Sequence, residues 1–140
     1  MHITRRVIWY ICLCIILVVN IFIFGPSLDG YYFPVVDETQ IIKIEEQPDH
    51  TTIFSGKSIK NRRCDFIRIA WYKSDGRIMV PVNLEFIERP KLRYPGIFTF
   101  GPWKVNLTFN EVVNYSSAIV YHRCHFLWET QTQFWKSALY

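Results

Sequence analysis

The stretch CDFIRIAWYKSDGRIMVPVNLEF, residues 64–86, decides the fold. Two apolar-rich arms, 64–73 and 78–86, flank Ser74-Asp75-Gly76, and turn residues of that kind between alternating arms close a β-hairpin. In the second arm Ile78, Val80, Val82, Leu84 and Phe86 fall on one parity, with Pro81, Asn83 and Glu85 on the other. Such alternation predicts one buried and one solvated face. Pro81 has no N–H to give to a ladder, which puts the arm at a sheet edge or on a bulge.

Outward from the hairpin the period of two recurs. Ile42 and Ile44 alternate with Lys43 and Glu45 in a strand over 39–46, and 51–54 reads as a short strand before Gly56. Trp103, Val105, Leu107 and Phe109 alternate with Lys104, Asn106 and Thr108. In a last strand over 118–128, Val120, His122, Cys124, Phe126 and Trp128 share a face. Between them ERPKLRYPGIFTFGP, residues 88–102, holds three prolines and two glycines and reads as a long loop. No segment after Val36 shows a convincing 3.6-residue period. Six or seven short strands with a turn every ten or so residues predict an all-β domain, a small β-sandwich or barrel.

Upstream lies a segment of another kind. Residues 7–24, VIWYICLCIILVVNIFIF, carry no charge and only Asn20 as a clearly polar group. As a helix they cover about 27 Å, just enough for a bilayer core of about 30 Å. Arg5 and Arg6 precede the run, whereas Asp29, Asp37, Glu38, Glu45, Glu46 and Asp49 follow it against Lys43 alone. Basic flanks stay in the cytoplasm, so the expectation is a single-pass signal anchor in the inner membrane with the C-terminal part outside. A cleaved secretory signal is the rival, with a cut after Ser27, but the apolar run exceeds a usual h-region and no A-x-A-like site follows. Cys12 and Cys14 read as small apolar residues of the run, and Trp9 and Tyr10 as interface residues. Gly25-Pro26 is expected to stop the helix. The organisation is then a tail (1–6), an anchor (7–24), a stalk (25–36) and one exported domain (37–140). In the stalk Tyr31, Tyr32 and Phe33 are expected to rest on the bilayer or to pack beneath the domain. The aromatic share of 17% continues beyond the anchor, so about 115 residues have the means to build a core.

Only Cys64 and Cys124 fall in the exported part. Exported thiols pair, and one pairing is available; its closed loop of about 60 residues is worth roughly 4 kcal/mol on the chain-entropy view. Two core-strand cysteines with Trp71 after the first resemble the immunoglobulin-like arrangement of an inter-sheet disulfide packed on tryptophan. Trp71 follows Cys64 by only seven residues, however, and His122 stands where a tyrosine corner would put tyrosine.

The basic start and anchor, Arg63-Cys64-Asp65-Phe66, the Gly101-Pro102-Trp103 corner, and His122-x-Cys124-His125-x-x-Trp128 followed by Thr130-x-Thr132-x-Phe134 form a layout similar to short single-pass membrane proteins of bacteriophages. The resemblance implies a viral product in a bacterial envelope and no particular mechanism.

Candidate chemistry is sparse. His122, Cys124 and His125 have metal-ligand side chains, but in a strand His125 points away from the other two, and His50 and Cys64 would have to come from afar. The expected arrangement is a bridged Cys124, a hydrogen-bonded His122 beside it and a surface His125, with no metal and no cofactor. No G-x-S-x-G, H-E-x-x-H or glycine-rich phosphate loop occurs, so enzymatic activity is not expected. Residues 57–104 carry eleven Lys and Arg against four Asp and Glu, which makes this part basic despite a net charge of only +4 for the chain. Lys57, Lys60, Arg62, Arg63, Arg89, Lys91 and Arg93 are candidate contacts to an anionic surface, either headgroups or an envelope polymer. Nucleic acid is not expected outside a cell. Asn106 and Asn114 head glycosylation sequons that have no use in a bacterium. The function expected is a membrane-tethered, non-enzymatic interaction module of the envelope. A lysis protein and a metal-dependent exported enzyme are its rivals.

Overall fold

A computed structural model describes residues 2–37, 39–88, 91 and 93–138. A long helix α1 (His2–Tyr32) leads into β1 (Gln40–Glu46), β2 (Thr52–Lys60), β3 (Asp65–Asp75), β4 (Ile78–Val82), β5 (Leu84–Phe86) and β6 (Gly96–Val105). A short helix α2 (Phe109–Tyr115), β7 (Ser116–Arg123) and β8 (Thr130–Lys136) complete the chain. Among the described residues the strands form two antiparallel four-stranded sheets, ordered β1-β2-β6-β5 and β4-β3-β7-β8.

The hairpin is present, with Trp71 opposite Val82 and Asp75 opposite Ile78. Gly76 closes it at φ 63°, a backbone state that a side chain disfavours. Pro81 sits opposite Tyr72 in an edge strand, where its missing N–H leaves no gap in the ladder. The arm does not stay in one sheet. At Asn83 the chain crosses over, and β5 pairs with β6 in the other sheet. Hence only Val82, Leu84 and Phe86 of the alternating set pack on the core, while Ile78 and Val80 are exposed.

The core lies between the sheets. Phe54, Phe100, Trp103 and Val105 from one meet Trp71, Ala118, Val120 and Phe134 from the other. The rings interlock, with Phe54 to Trp71 at 4.8 Å, Phe100 to Trp103 at 4.7 Å and Phe100 to Phe134 at 5.1 Å. Aromatic pairs at such spacings add to simple area burial.

Four expectations are corrected. The long loop is shorter, because 96–102 belong to β6, which pairs with β2 along Gly96↔Lys60 to Val105↔Thr52. The strand over 103–109 ends at Val105, and α2 follows. There Thr108 accepts from the Glu111 N–H while Glu111 accepts from the Thr108 N–H, a reciprocal cap that starts a helix. The strand over 118–128 ends at Arg123, so Phe126 and Trp128 leave the sheet, and β8 follows with Thr130 and Thr132 buried.

The fourth correction concerns the stalk. α1 does not stop at Gly25-Pro26 but runs to Tyr32 with Pro26 inside it. Proline removes one ladder bond, and docking of the following turns holds the helix in shape. Gly25 faces the Trp128 ring, and at Gly30 an added Cβ would lie 1.6 Å from the Gln131 carbonyl oxygen, so only glycine lets α1 lie this close to β8. Residues beyond the helix are fastened as well. The Asp37 N–H donates to the Ile59 carbonyl, the Asn61 N–H donates to that of Val35, and Val35 and Val36 are buried. Along residues 7–24 the side chains are exposed on every side, as a helix facing lipid requires. α1 is thus long and apolar enough to span a membrane.

Candidate functional site

β3 begins at Asp65 and β7 ends at Arg123, and these two residues are partners in the ladder. Cys64 and Cys124 therefore emerge side by side, with Cα atoms 4.5 Å apart, and are disulfide-bonded. The bridge joins neighbours within one sheet, not strands of opposing sheets. Trp71, six residues into β3, packs on Phe54 instead. The immunoglobulin-like cysteine arrangement is thus not the one found, because ladder register rather than sheet facing brings the sulfurs together.

Around this end of the sandwich the titratable groups are absorbed by structure. Lys60 alternates inward with Thr52, Phe54, Gly56 and Ser58, and is only 5% exposed. Its Nζ donates to the Cys64 carbonyl at 2.7 Å and to the Arg93 carbonyl at 2.9 Å. Burial pulls the Lys60 pKa below its ordinary value. His122 is 3% exposed, beside the Phe66 ring at 6.0 Å. Burial, reinforced by the Lys60 charge, pushes its pKa down to about 4, so the ring is neutral at physiological pH. The hydrogen bond expected for it is not seen, since Nδ1 has no partner among the described residues. Both side chains line an intersheet cavity of about 70 Å³ with Phe66, Phe98, Trp103 and Arg93.

His125 is elsewhere. Its Nε2 lies 3.5 Å from Asp29 Oδ2, and its ring stacks edge-on against Trp128 at 4.7 Å, so it is half-buried against α1 rather than free at the surface. Cys124 gives its sulfur to the disulfide, and the two histidines face different surroundings. Among the described residues no group of three or more His, Cys, Asp or Glu is placed to hold a metal.

The residue that reading the sequence overlooked is Asp29. It accepts from Arg62 Nη1 at 3.1 Å and from the Thr130 hydroxyl, and it faces His125. Arg62 Nη1 also donates to the Phe33 carbonyl at 2.8 Å, placing a cation at the C-terminus of α1, where the helix dipole favours one. A lone acid following an apolar run was the available signal. Tyr31, Tyr32 and Phe33 are exposed and do not pack beneath the domain.

Of the seven basic candidates, Lys60 is internal and Arg62 is committed to α1. The Arg93 guanidinium lies over the Phe98 ring at 4.8 Å and that of Arg63 over Tyr94 at 5.8 Å. Lys57, Arg63 and Lys91 are exposed, and Arg89 lies outside the described residues. Asn106 is exposed, whereas the Asn114 amide donates to Asn110 on α2. Compared with family models, with curated proteins and with solved structures, the chain shows no significant match.

Proposed function

We infer that the protein is a single-pass, membrane-tethered contact module, a non-enzymatic β-domain held at the outer face of a bacterial envelope membrane. The carrying observation is the continuity of α1. Its apolar part is exposed on every side, and its last two turns are fastened to β8 and to Arg62. A tether of this kind raises local concentration, so weak contacts suffice for binding. Within the β-domain several groups with reactive potential are spent internally: Cys64 and Cys124 as a bridge, Lys60 on carbonyls and His122 in the core. Of the seven basic candidates Lys57, Arg63 and Lys91 are exposed, and this set suits an anionic partner such as an envelope polymer. A phage accessory protein acting on its host's envelope fits this description.

The test uses the full oxidised chain in zwitterionic nanodiscs, co-sedimented with lipopolysaccharide or teichoic acid at low and high salt. Near an anionic surface each cation is worth about 1 kcal/mol, so the triple variant Lys57→Gln, Arg63→Gln, Lys91→Gln should bind ~100-fold more weakly. Absence of salt-sensitive binding by the unaltered chain would refute the anionic-partner reading.

A further inference from the structure

We propose that the tip formed by residues 125–128, His125-Phe126-Leu127-Trp128, is a lipid-contact site seated in the bilayer interface at the C-terminal end of the α1 span. The proposal deepens the reading of residues 7–24 as that span and depends on it. The depth follows from α1 itself. Between Arg6 and Asp29 no charged residue occurs, and a hydrocarbon core of about 30 Å measured from Arg6 ends at about residue 26. The tip lies at that level. Trp128 meets the Phe22 ring edge-on at 6.3 Å and covers Gly25, and His125 sits beside Asp29 one turn further on.

Between those two contacts Phe126 is 93% exposed and Leu127 47% exposed. These are large apolar side chains on a loop, turned away from the core. In water such a display is unfavourable, and at the edge of the acyl region it is favoured. The turn is held firmly enough to present them, because the Leu127 N–H donates to His125 Nδ1 at 3.2 Å and the disulfide fixes Cys124. The base of the loop is charged, with Glu129 flanked by Arg68 at 3.7 Å and Arg123 at 3.9 Å. Apolar tip, aromatic flank and charged base follow the polarity gradient of a membrane surface. Lipid is the occupant because the neighbouring surface of α1 just below this depth, including Ile21 and Phe24, is exposed and belongs to the same span.

The experiment uses the full chain with Cys12→Ser and Cys14→Ser, kept oxidised, in phosphatidylcholine vesicles carrying nitroxide lipids labelled at the headgroup or deep in the chain. A polarity-sensitive fluorophore is attached in turn at Phe126→Cys, at Leu127→Cys, at Ile15→Cys in mid-span and at Ile78→Cys on the far edge of the sandwich. The labels at 126 and 127 should emit to the blue and be quenched several-fold more by headgroup nitroxide than the label at 78. The label at 15 should be quenched by the deep nitroxide. Quenching at 15 with water-like emission at both 126 and 127 overturns the tip and leaves the span standing. Loss of quenching at 15 overturns the span, and the tip with it.

Discussion

His122 gives the chain a built-in sensitivity to acid whose size follows from its surroundings. Its folded-state pKa of about 4 lies below the ordinary 6.5 because the ring is buried beside the Lys60 ammonium. Above pH 6.5 the ring is neutral in both folded and unfolded chains, and stability is complete. As pH falls from 6.5 toward about 4 the unfolded chain takes up a proton that the folded chain refuses, so stability declines across that window and levels off below it. At 1.36 kcal/mol for each pKa unit the decline is about 3 kcal/mol, which lowers the melting temperature of a domain this size by roughly 15 °C. The assay is thermal unfolding of the oxidised full chain in detergent, read by near-ultraviolet circular dichroism of the core aromatics, in buffers across the window. Carboxylates held low by partners, such as Glu111 beside Lys73 and Asp49 beside Thr51, lose their contribution only toward the acid end. His122→Phe separates the two. The variant should lose the slope between 6.5 and 4 whatever its absolute stability. An unchanged slope in His122→Phe, or a flat profile in the unaltered protein, would refute the assignment.

Two further perturbations address the frame. Gly30→Ala would put a methyl 1.6 Å from the Gln131 carbonyl oxygen, so α1 and β8 must part by ~1.5 Å to restore contact distance. Amide exchange should then quicken around Asp29–Asp37 and β8 while the β3–β7 ladder keeps its protection, and an exchange map identical to that of the unaltered chain would count against the docking. Replacing both Cys64 and Cys124 by serine removes the cross-link over a separation of 60 residues and should cost roughly 4 kcal/mol in denaturant unfolding. A loss below about 1 kcal/mol would mean that the unfolded chain is already constrained at this point.

Much of the frame was legible because it rests on local rules. The Asp75-Gly76 turn, the edge position of Pro81 and the single possible cysteine pairing each carry their own physics, whereas the alternation in 78–86 marked the strands but not the crossover at Asn83 that leaves Ile78 and Val80 exposed. What stayed hidden depends on tertiary partners. β8 reads TQTQFWK, and its inward face is mostly threonine, satisfied by neighbours such as Asp29 and the Val35 N–H, so no apolar stripe announced it. α2 spans under two turns, too few to show a period, and only Thr108-x-x-Glu111 marked its start. Prolines and glycines disguised β6. For the basic cluster, counting charges misled where parity would not have: Thr52, Phe54, Gly56, Ser58 and Lys60 all fall inward, and that puts the Lys60 head inside.

One feature of the mount governs how anything meets this domain. A head on a slack stalk swivels and offers every side in turn, whereas α1 passes as one rod into its seat on β8 and is bolted there by Asp29 and Arg62. In its sheet β8 is the strand packed on the rod and β4 the most distant from it, so the β4 rim is held at a fixed azimuth about α1. In the membrane-tethered protein proposed above, a neighbour sharing the bilayer would meet that rim in a constrained orientation, and the search for a productive encounter would lose most of its rotational freedom.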